Sequence, residues 1–332
     1  VNAAPRSIGS GSGGGGMLDR YELLEPFAQG GMAEIYLARQ REPARIVAIK
    51  LMREELGARP EYLDMFRDEA KILSKLKHPN IVETLDADVA GGRPFIVMEL
   101  LLGRSAADLC DECVERKTRF PLPLAAWIVA RVADALHFAH ELTDDDGIRL
   151  NVIHRDANPS NIHVGYDGGV KLIDFGLARA RRRLTRSTEG IIKGKVPYLS
   201  PEQIGQREID HRSDLYTLGS ALWEMTTGRR LWKRETDVET VLAIRRGVVP
   251  DPTSFIEGYP DELWAIIWEA LMPERDHRYG DAAAMARDLD AFIAKSAPGE
   301  LMETSAAAFV EELFPGEATA RRAYIASKTS AQ

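Results

Sequence analysis

The spacing of apolar positions changes near residue 100. Before it, short β-rich or alternating runs predict strands: EIYLA (34–38), RIVAIK (45–50), NIVETL (80–85) and PFIVME (94–99). One stretch departs from that pattern. In EYLDMFRDEAKILSKLK (61–77), Leu63, Phe66, Ala70 and Leu73 recur at three- and four-residue steps, which predicts a helix with one apolar face. After residue 103 helical spacing takes over, in LAAWIVARVADALHFAH (124–140), SDLYTLGSALWEMTTG (213–228), ELWAIIWEALM (262–272) and AAAMARDLDAFIAK (282–295). A small β-rich unit is thus followed by a larger helical one. Their join at MELLLGR (98–104) has no Pro/Ser-rich spacer, so a close hinge is expected, with a cleft as the natural ligand site.

At 332 residues the chain is long enough to bury a full core. Its formal net charge of −8, from 43 Lys and Arg against 51 Asp and Glu, argues against a cationic surface for nucleic acid or anionic membrane. Cys110 and Cys113 are its two cysteines, a CxxC spacing with no second ligand pair beside it, so they read as small apolar helix residues in a reducing compartment. The nearest approach to a membrane span, LAAWIVARVADALHFA, is cut by Arg131 and Asp134. A cytoplasmic chain without a membrane segment is the expectation. VNAAPRSIGSGSGGGG (1–16) has linker composition and no signal-peptide core, with Met17 a plausible native start.

Several motifs carry chemistry. AQGGMAEIYLA (28–38) is a turn whose Gly30 and Gly31 let backbone amides approach phosphate oxygens, although a plain hairpin would look the same. VAIK (47–50) ends a strand run on Lys50. FRDE (66–69) offers two carboxylates on the following helix; Glu69 is preferred to Asp68 because it precedes Ala70 and sits four residues before Leu73. NVIHRDANPSNIHV (151–164) holds a His-Arg-Asp tripeptide with Asn161 five residues after Asp156. Asp174-Phe175-Gly176 follows, then Ser200-Pro201-Glu202, Asp214 in DLYTLG, and Arg278 in PERDHRY.

In this order the motifs resemble the eukaryotic-like Ser/Thr protein kinases of bacteria, over roughly residues 21–295. The resemblance implies an α+β, bilobal kinase fold: a linker over 1–16, a β-rich N-lobe over 17–100, a mainly helical C-lobe over 101–295 and a helical extension over 296–332. It implies transfer of the γ-phosphate of ATP to Ser/Thr hydroxyls of protein substrates, with magnesium or manganese, and with homodimerisation as a route to phosphorylation in trans. Asp156 would take or orient the acceptor hydroxyl, Lys50 held by Glu69 would position phosphates, and Asn161 and Asp174 would ligate the metal. Ile35 and Ala48 would roof the adenine, Met98 would be gatekeeper, and the backbone of Glu99 and Leu101 would bind the base. Glu202 would pair with Arg278, and Asp214 would hold the catalytic loop from below. Leu73, His154 and Phe175 match stacked apolar positions linking the lobes. Arg155 would receive a phosphorylated activation-segment residue from Thr185, Ser187 or Thr188, with Glu189 as a standing anion nearby.

Two departures matter for chemistry. Ala28 and Ala33 replace the outer glycines of the phosphate loop, and Asn158 stands where the family places lysine. The later Gly-Thr pair of the family reads Gly194-Lys195 here, so Lys195 would return the missing cation with Asn158 as its neutral partner. An acidic insertion, HELTDDDGIRLN (140–151), reads as an exposed hairpin or loop, and residues 299–327 read as helices on the helical lobe. Two rivals stay open: an ATP-binding pseudokinase scaffold, and a small-molecule phosphotransferase on a related fold.

Overall fold

A computed structural model of the chain describes residues 20–29, 33–52, 60–175 and 196–330. The chain divides into two compact units: one gathers Val1–Lys77, Val82–Leu102 and Glu317–Gln332, the other His78–Ile81 and Gly103–Gly316.

The first unit is built on an antiparallel sheet of β1 (Tyr21–Gln29), β2 (Ala33–Gln40), β3 (Arg45–Met52), β4 (Thr84–Ala90) and β5 (Arg93–Glu99), in the order β1-β2-β3-β5-β4, with α1 (Pro60–Lys75) between β3 and β4. Strand alternation gives the sheet two different faces. Val47, Ile49 and Leu51 join Tyr21, Ala38, Phe95 and Val97 in a core cluster. The intervening residues point the other way: Ala48 lies opposite Leu37 and Met98, and Lys50 opposite Ile35 and Ile96. A slip of one residue would exchange Lys50 with the core, so burial of the apolar face is what fixes the lysine on the other.

The run NIVETL does not form one strand. Leu172 N–H donates to the Asn80 carbonyl (2.8 Å), Asn80 Nδ2 donates to the Val170 carbonyl (2.8 Å), and Ile81 bridges Leu172, so residues 80–81 belong to the second unit and β4 begins only at Thr84. The backbone there finds its partners far along the chain, which an apolar run alone does not reveal.

The second unit contains β6 (Gly103–Ser105), α2 (Ala106–Arg116), α3 (Leu122–His140), β7 (Ile162–Gly165), β8 (Val170–Leu172), α4 (Pro201–Ile204), α5 (Arg212–Thr227), α6 (Asp237–Arg246), α7 (Asp261–Ala270), α8 (Ala282–Ser296) and α9 (Met302–Leu313). Its small sheet runs β6-β7-β8. Among the described residues α3 is the one helix long and apolar enough to cross a membrane; here it is buried on most of its circumference and packs on α5 and α8. Helix α5 approaches α7 so closely at Gly219 that a Cβ there would lie 2.7 Å from the Ala270 Cβ. Cys110 and Cys113 are free thiols on α2, and burial pushes the Cys113 thiol up to about 11, which keeps it neutral. The acidic insertion is a hairpin: Thr143 bridges Arg149, and Asp144 Oδ1 accepts from the N–H groups of Asp146 (3.0 Å) and Ile148 (2.8 Å).

The C-terminal extension is not one piece on the helical unit. Helix α9 does pack there, with Phe309 against Phe120 (centroids 4.8 Å apart) and its last carbonyls bonded by Arg116. After Gly316 (φ 77°), α10 (Glu317–Ser330) instead joins the first unit and packs on β3. Tyr324 donates to Glu25, Arg39 Nε donates to the Lys328 carbonyl (3.2 Å), and Lys328 Nζ lies 3.9 Å from Glu25. A cation at the carboxyl end of a helix satisfies a carbonyl that no helical N–H can reach, and this draws α10 to the sheet. Truncation after Gly316 is therefore expected to speed amide exchange in β1–β3 by the equivalent of about 1 kcal/mol or more, while β7 and β8 keep their protection. Hydrogen–deuterium exchange read by mass spectrometry checks this, and unchanged β1–β3 exchange would count against the docking.

Candidate active site

In the first unit, the residues expected to meet nucleotide share the sheet face opposite the apolar core. Lys50 is buried at 5% exposure, with Ala48 beside it on β3, Ile35 on β2 and Met98 on β5. Glu99 closes β5 with two bonds to Glu83: its N–H donates to the Glu83 carbonyl (3.1 Å) and its carboxylate accepts the Glu83 N–H (2.7 Å). Leu101 follows two residues later, half-buried. Glu69 lies on α1, and its side chain is outside the described residues. The competing Asp68 is exposed and pairs with Lys71 at 3.3 Å. Gly30 and Gly31 also lie outside the described residues.

In the second unit the geometry is set by one carboxylate. Asp214, in the first turn of α5, is fully buried; its Oδ2 accepts the His154 N–H (2.9 Å) and its Oδ1 the Arg155 N–H (2.6 Å). His140 Nε2, from α3, meets the same Oδ2 at 2.9 Å. Burial works against this charge, yet the His140 bond, the imidazoles of His140 and His154 and the Arg155 N–H hold its carboxyl below the usual range. The loop it grips is strained, with Asn151 (φ 47°) and Arg155 (φ 67°) at positive φ without being glycine, as is Asp174 (φ 67°) after β8. Such a conformation costs roughly 1–3 kcal/mol per residue, and at Arg155 the bond from its N–H to Asp214 offsets it.

Asp156 follows directly. Its N–H donates to His154 Nδ1 (3.2 Å), so His154 carries its proton on Nε2, which donates to the Ile173 carbonyl (2.9 Å). The His154 ring meets Phe175 edge-on at 4.5 Å. Asn161 ends the short turn Pro159–Asn161: its Nδ2 donates to the Asp156 carbonyl (2.7 Å), and its own carbonyl accepts the Ile173 N–H (2.9 Å). The amide nitrogen being used inward, its oxygen is the atom available for a hard cation, one residue in register from Asp174. Among the described residues no group of three His, Cys, Asp or Glu could hold a metal alone. Two oxygen donors completed by phosphate oxygens fit magnesium, which commonly keeps few protein ligands. Gly176, Lys195 and the three candidate phosphosites Thr185, Ser187 and Thr188 lie outside the described residues.

The turn carrying Glu202 is tied to this loop. Gln203 Nε2 donates to the Arg155 carbonyl (3.2 Å), and Ser200 and Gln203 cap α4 reciprocally. Glu202 makes a bidentate pair with Arg278 (2.8 and 2.9 Å) and also accepts from Ser213 Oγ. All five guanidinium N–H bonds are used, the others going to the carbonyls of Met272 (2.7 Å), Arg212 (3.1 Å) and Pro273 (3.1 Å). Two partners escaped sequence reasoning. His140 sits in an apolar helical run where it reads as a core residue. Glu224, buried mid-helix, accepts from Tyr198 Oη (2.7 Å) while Arg230 donates to that same Oη (2.6 Å), holding the turn Val196–Tyr198. A carboxylate inside the apolar run ALWEM was the only sequence signal for it.

These positions lie within residues 21–289, which match the family model for the protein kinase domain. The chain belongs to the protein kinase family. It is 38% identical over 282 residues to a protein of Myxococcus xanthus named tyrosine-protein kinase MasK, covering 84% of this chain and 44% of that one. It is 37% identical over 277 residues to the serine/threonine-protein kinase PknB of Mycobacterium leprae, covering 82% and 42%. The chain thus spans less than half the length of these relatives. The crystal structure of the PknI kinase domain of Mycobacterium tuberculosis superposes with a TM-score of 0.62 at 22% identity, over 82% of this chain and 95% of that one, which shows the shared fold. The kinase fold expected from the motifs, with a β-sheet lobe and a mainly helical lobe, is the fold observed.

The Glu202–Arg278 pair has a pH signature. Burial opposes the charge of Glu202, but Arg278 and Ser213 hold its carboxyl at about 2, against 4.5 for an unperturbed glutamate. A depressed carboxyl stabilises the fold fully above its unfolded pKa, and that contribution drains away as pH falls from about 4.5 toward 2. Glu202→Gln should lower stability at pH 7 by roughly 3 kcal/mol and flatten the loss below pH ~4.5. Urea unfolding of both forms between pH 7 and 3 checks this; parallel curves would refute it.

Proposed function

We infer that this chain is an ATP- and magnesium-dependent protein kinase that phosphorylates Ser/Thr hydroxyls and acts on its own activation segment. The observation that carries the reading is the loop around Asp156, held by buried Asp214 with Asn161 bonded to it and Asp174 in register. Phosphoryl transfer needs alignment and charge neutralisation more than covalent participation, so a rigid loop of this kind is the part a kinase must supply. Asp156 orients the acceptor hydroxyl and takes its proton. Lys50, a buried ammonium on β3, binds phosphate oxygens, and Asn161 and Asp174 would hold magnesium, whose chemistry is to neutralise phosphate charge. Lys195 would supply the cation that position 158 lacks, and Arg155 would receive phosphate from Thr185, Ser187 or Thr188.

The PknB relatives support a Ser/Thr acceptor. A tyrosine acceptor is the second reading, favoured by the name of the Myxococcus relative. Incubation with labelled ATP and magnesium, followed by phosphoamino-acid analysis and site mapping, separates the two. Lys50→Met, Asp156→Asn and Asp174→Asn are each expected to lower turnover by about 10³-fold or more with the fold intact by circular dichroism. Label that persists in these variants, or is absent from the wild type, would sink the reading. Replacing Thr185, Ser187 and Thr188 together by alanine should lower activity and remove most of the mapped phosphate; unchanged activity would count against Arg155 as the receiver of that phosphate.

A further inference from the structure

We propose that Tyr324, on the C-terminal helix α10, is a positioning residue for nucleotide: it pins β1 through Glu25 and so steadies the strand that leads into Gly30 and Gly31. The proposal rests on the kinase reading above, since it concerns how the first unit grips ATP.

β1 is the strand of that sheet most in need of a pin. It stands at the end of the order β1-β2-β3-β5-β4, so among the described strands it pairs with β2 alone. Its ladder with β2 also slips twice, between Leu23 and Glu25 and again between Pro26 and Ala28. Each slip interrupts the ladder and lets the strand bend. Glu25 stands between the two slips, opposite Leu37. Its carboxylate accepts from the Tyr324 hydroxyl and lies 3.9 Å from Lys328 Nζ. The same ammonium sits over the Tyr324 ring, 5.1 Å from its centroid, so phenol and cation meet the carboxylate together.

These bonds close a ring. Arg39 on β2 donates from Nε (3.2 Å) and from Nη2 to the Lys328 carbonyl, and from Nη1 to Glu22 of β1 (2.8 Å). The path from Glu25 through Tyr324, Lys328 and Arg39 thus returns to β1 at Glu22, and the strand is held on both sides of its first slip. Arg39 lies opposite Ile46 and Leu37 opposite Ala48, which places the ring on the sheet face that carries Ala48 and Lys50. A tail helix therefore braces the face assigned to nucleotide, at the strand that runs on into the phosphate turn.

The brace is held by polar bonds rather than by a core. Helix α9 buries Met302, Ala306, Phe309, Val310 and Leu313, whereas none of the described side chains of α10 is buried, and Tyr324, Ile325 and Lys328 are half-buried. Losing one bond should loosen α10 without unfolding the sheet. Because nucleotide and α10 act on the same strand, each should also tighten the other.

Tyr324→Phe deletes the hydroxyl and keeps the ring. It should raise the Kd of a non-hydrolysable ATP analogue with magnesium by about fivefold, while kcat at saturating ATP stays within about twofold and the melting temperature within about 2 °C. Glu25→Ala should raise Kd at least as much, and adding Tyr324→Phe to Glu25→Ala should raise it no further, because the hydroxyl acts through that carboxylate. In wild type the analogue should slow amide exchange in α10, and in Tyr324→Phe it should do so less. A helix that only adds stability predicts a lower melting temperature with Kd unchanged.

Calorimetric titration of the wild type, the two single variants and the double, with hydrogen–deuterium exchange of α10, decides the matter. A raised Kd in both singles, no further rise in the double and nucleotide-dependent protection of α10 support the brace. A wild type that binds the analogue, with Kd unchanged in Tyr324→Phe or with independent, multiplying effects in the double, overturns the brace and leaves the kinase reading standing. A wild type that binds no analogue overturns both.

Discussion

The loop that leads into Asp156 hangs from a single buried anion. Asp214 is fully buried, a position that would be prohibitive for an unpartnered carboxylate, and it is met by two backbone N–H groups and the His140 imidazole. Those two N–H groups belong to His154 and Arg155, so the anion dictates the backbone of the residues immediately before Asp156. The positive φ of Arg155 is a consequence: the chain accepts an unfavourable torsion because only then do both amides point at the carboxylate. From Arg155 the constraint passes outward, since its carbonyl accepts from Gln203 and so registers the Glu202 turn against the loop that carries Asp156.

Buried polar groups recur through this unit. The Glu202–Arg278 pair and the Tyr198–Glu224–Arg230 group each desolvate charge, and such pairs add less stability than apolar packing of the same volume would. What they add is direction. A guanidinium with all five N–H bonds used has one orientation, and the turn bonded to it has one place to sit. Burial raises the carboxyl of Glu224 despite the bonds from Tyr198 and Arg230, which marks it as the most weakly compensated charge of the set.

The first unit works by a different principle. Ala48 and Lys50 are placed by register rather than by buried ions: apolar packing on one face of β3 commits the alternate positions to the other. Helix α10 returns to that unit from the far end of the chain and bonds to Glu25 and Arg39, so the unit includes sequence from beyond the matched kinase region.

The amino-acid sequence alone determined the family and the order of a β-rich unit and a helical one, and it singled out Lys50, Asp156, Asn161 and Asp174 as the candidates for the chemistry. It could do so because those features are local: strand alternation, helical spacing and motif intervals are properties of neighbouring residues. The partners were decided by tertiary structure. Nothing around His140 marks it as a ligand of Asp214, nothing around Asn80 says its backbone pairs with β8, and nothing in the tail says that α9 and α10 part company at Gly316. The partners of Asn158, the Ser160 N–H and the Asp156 carboxylate, belong to the same class, since an asparagine next to proline reads as a turn residue until the direction of each arm is known. In each case the deciding factor is desolvation: a polar group taken from water must find a partner, and packing brings that partner from a distant part of the chain.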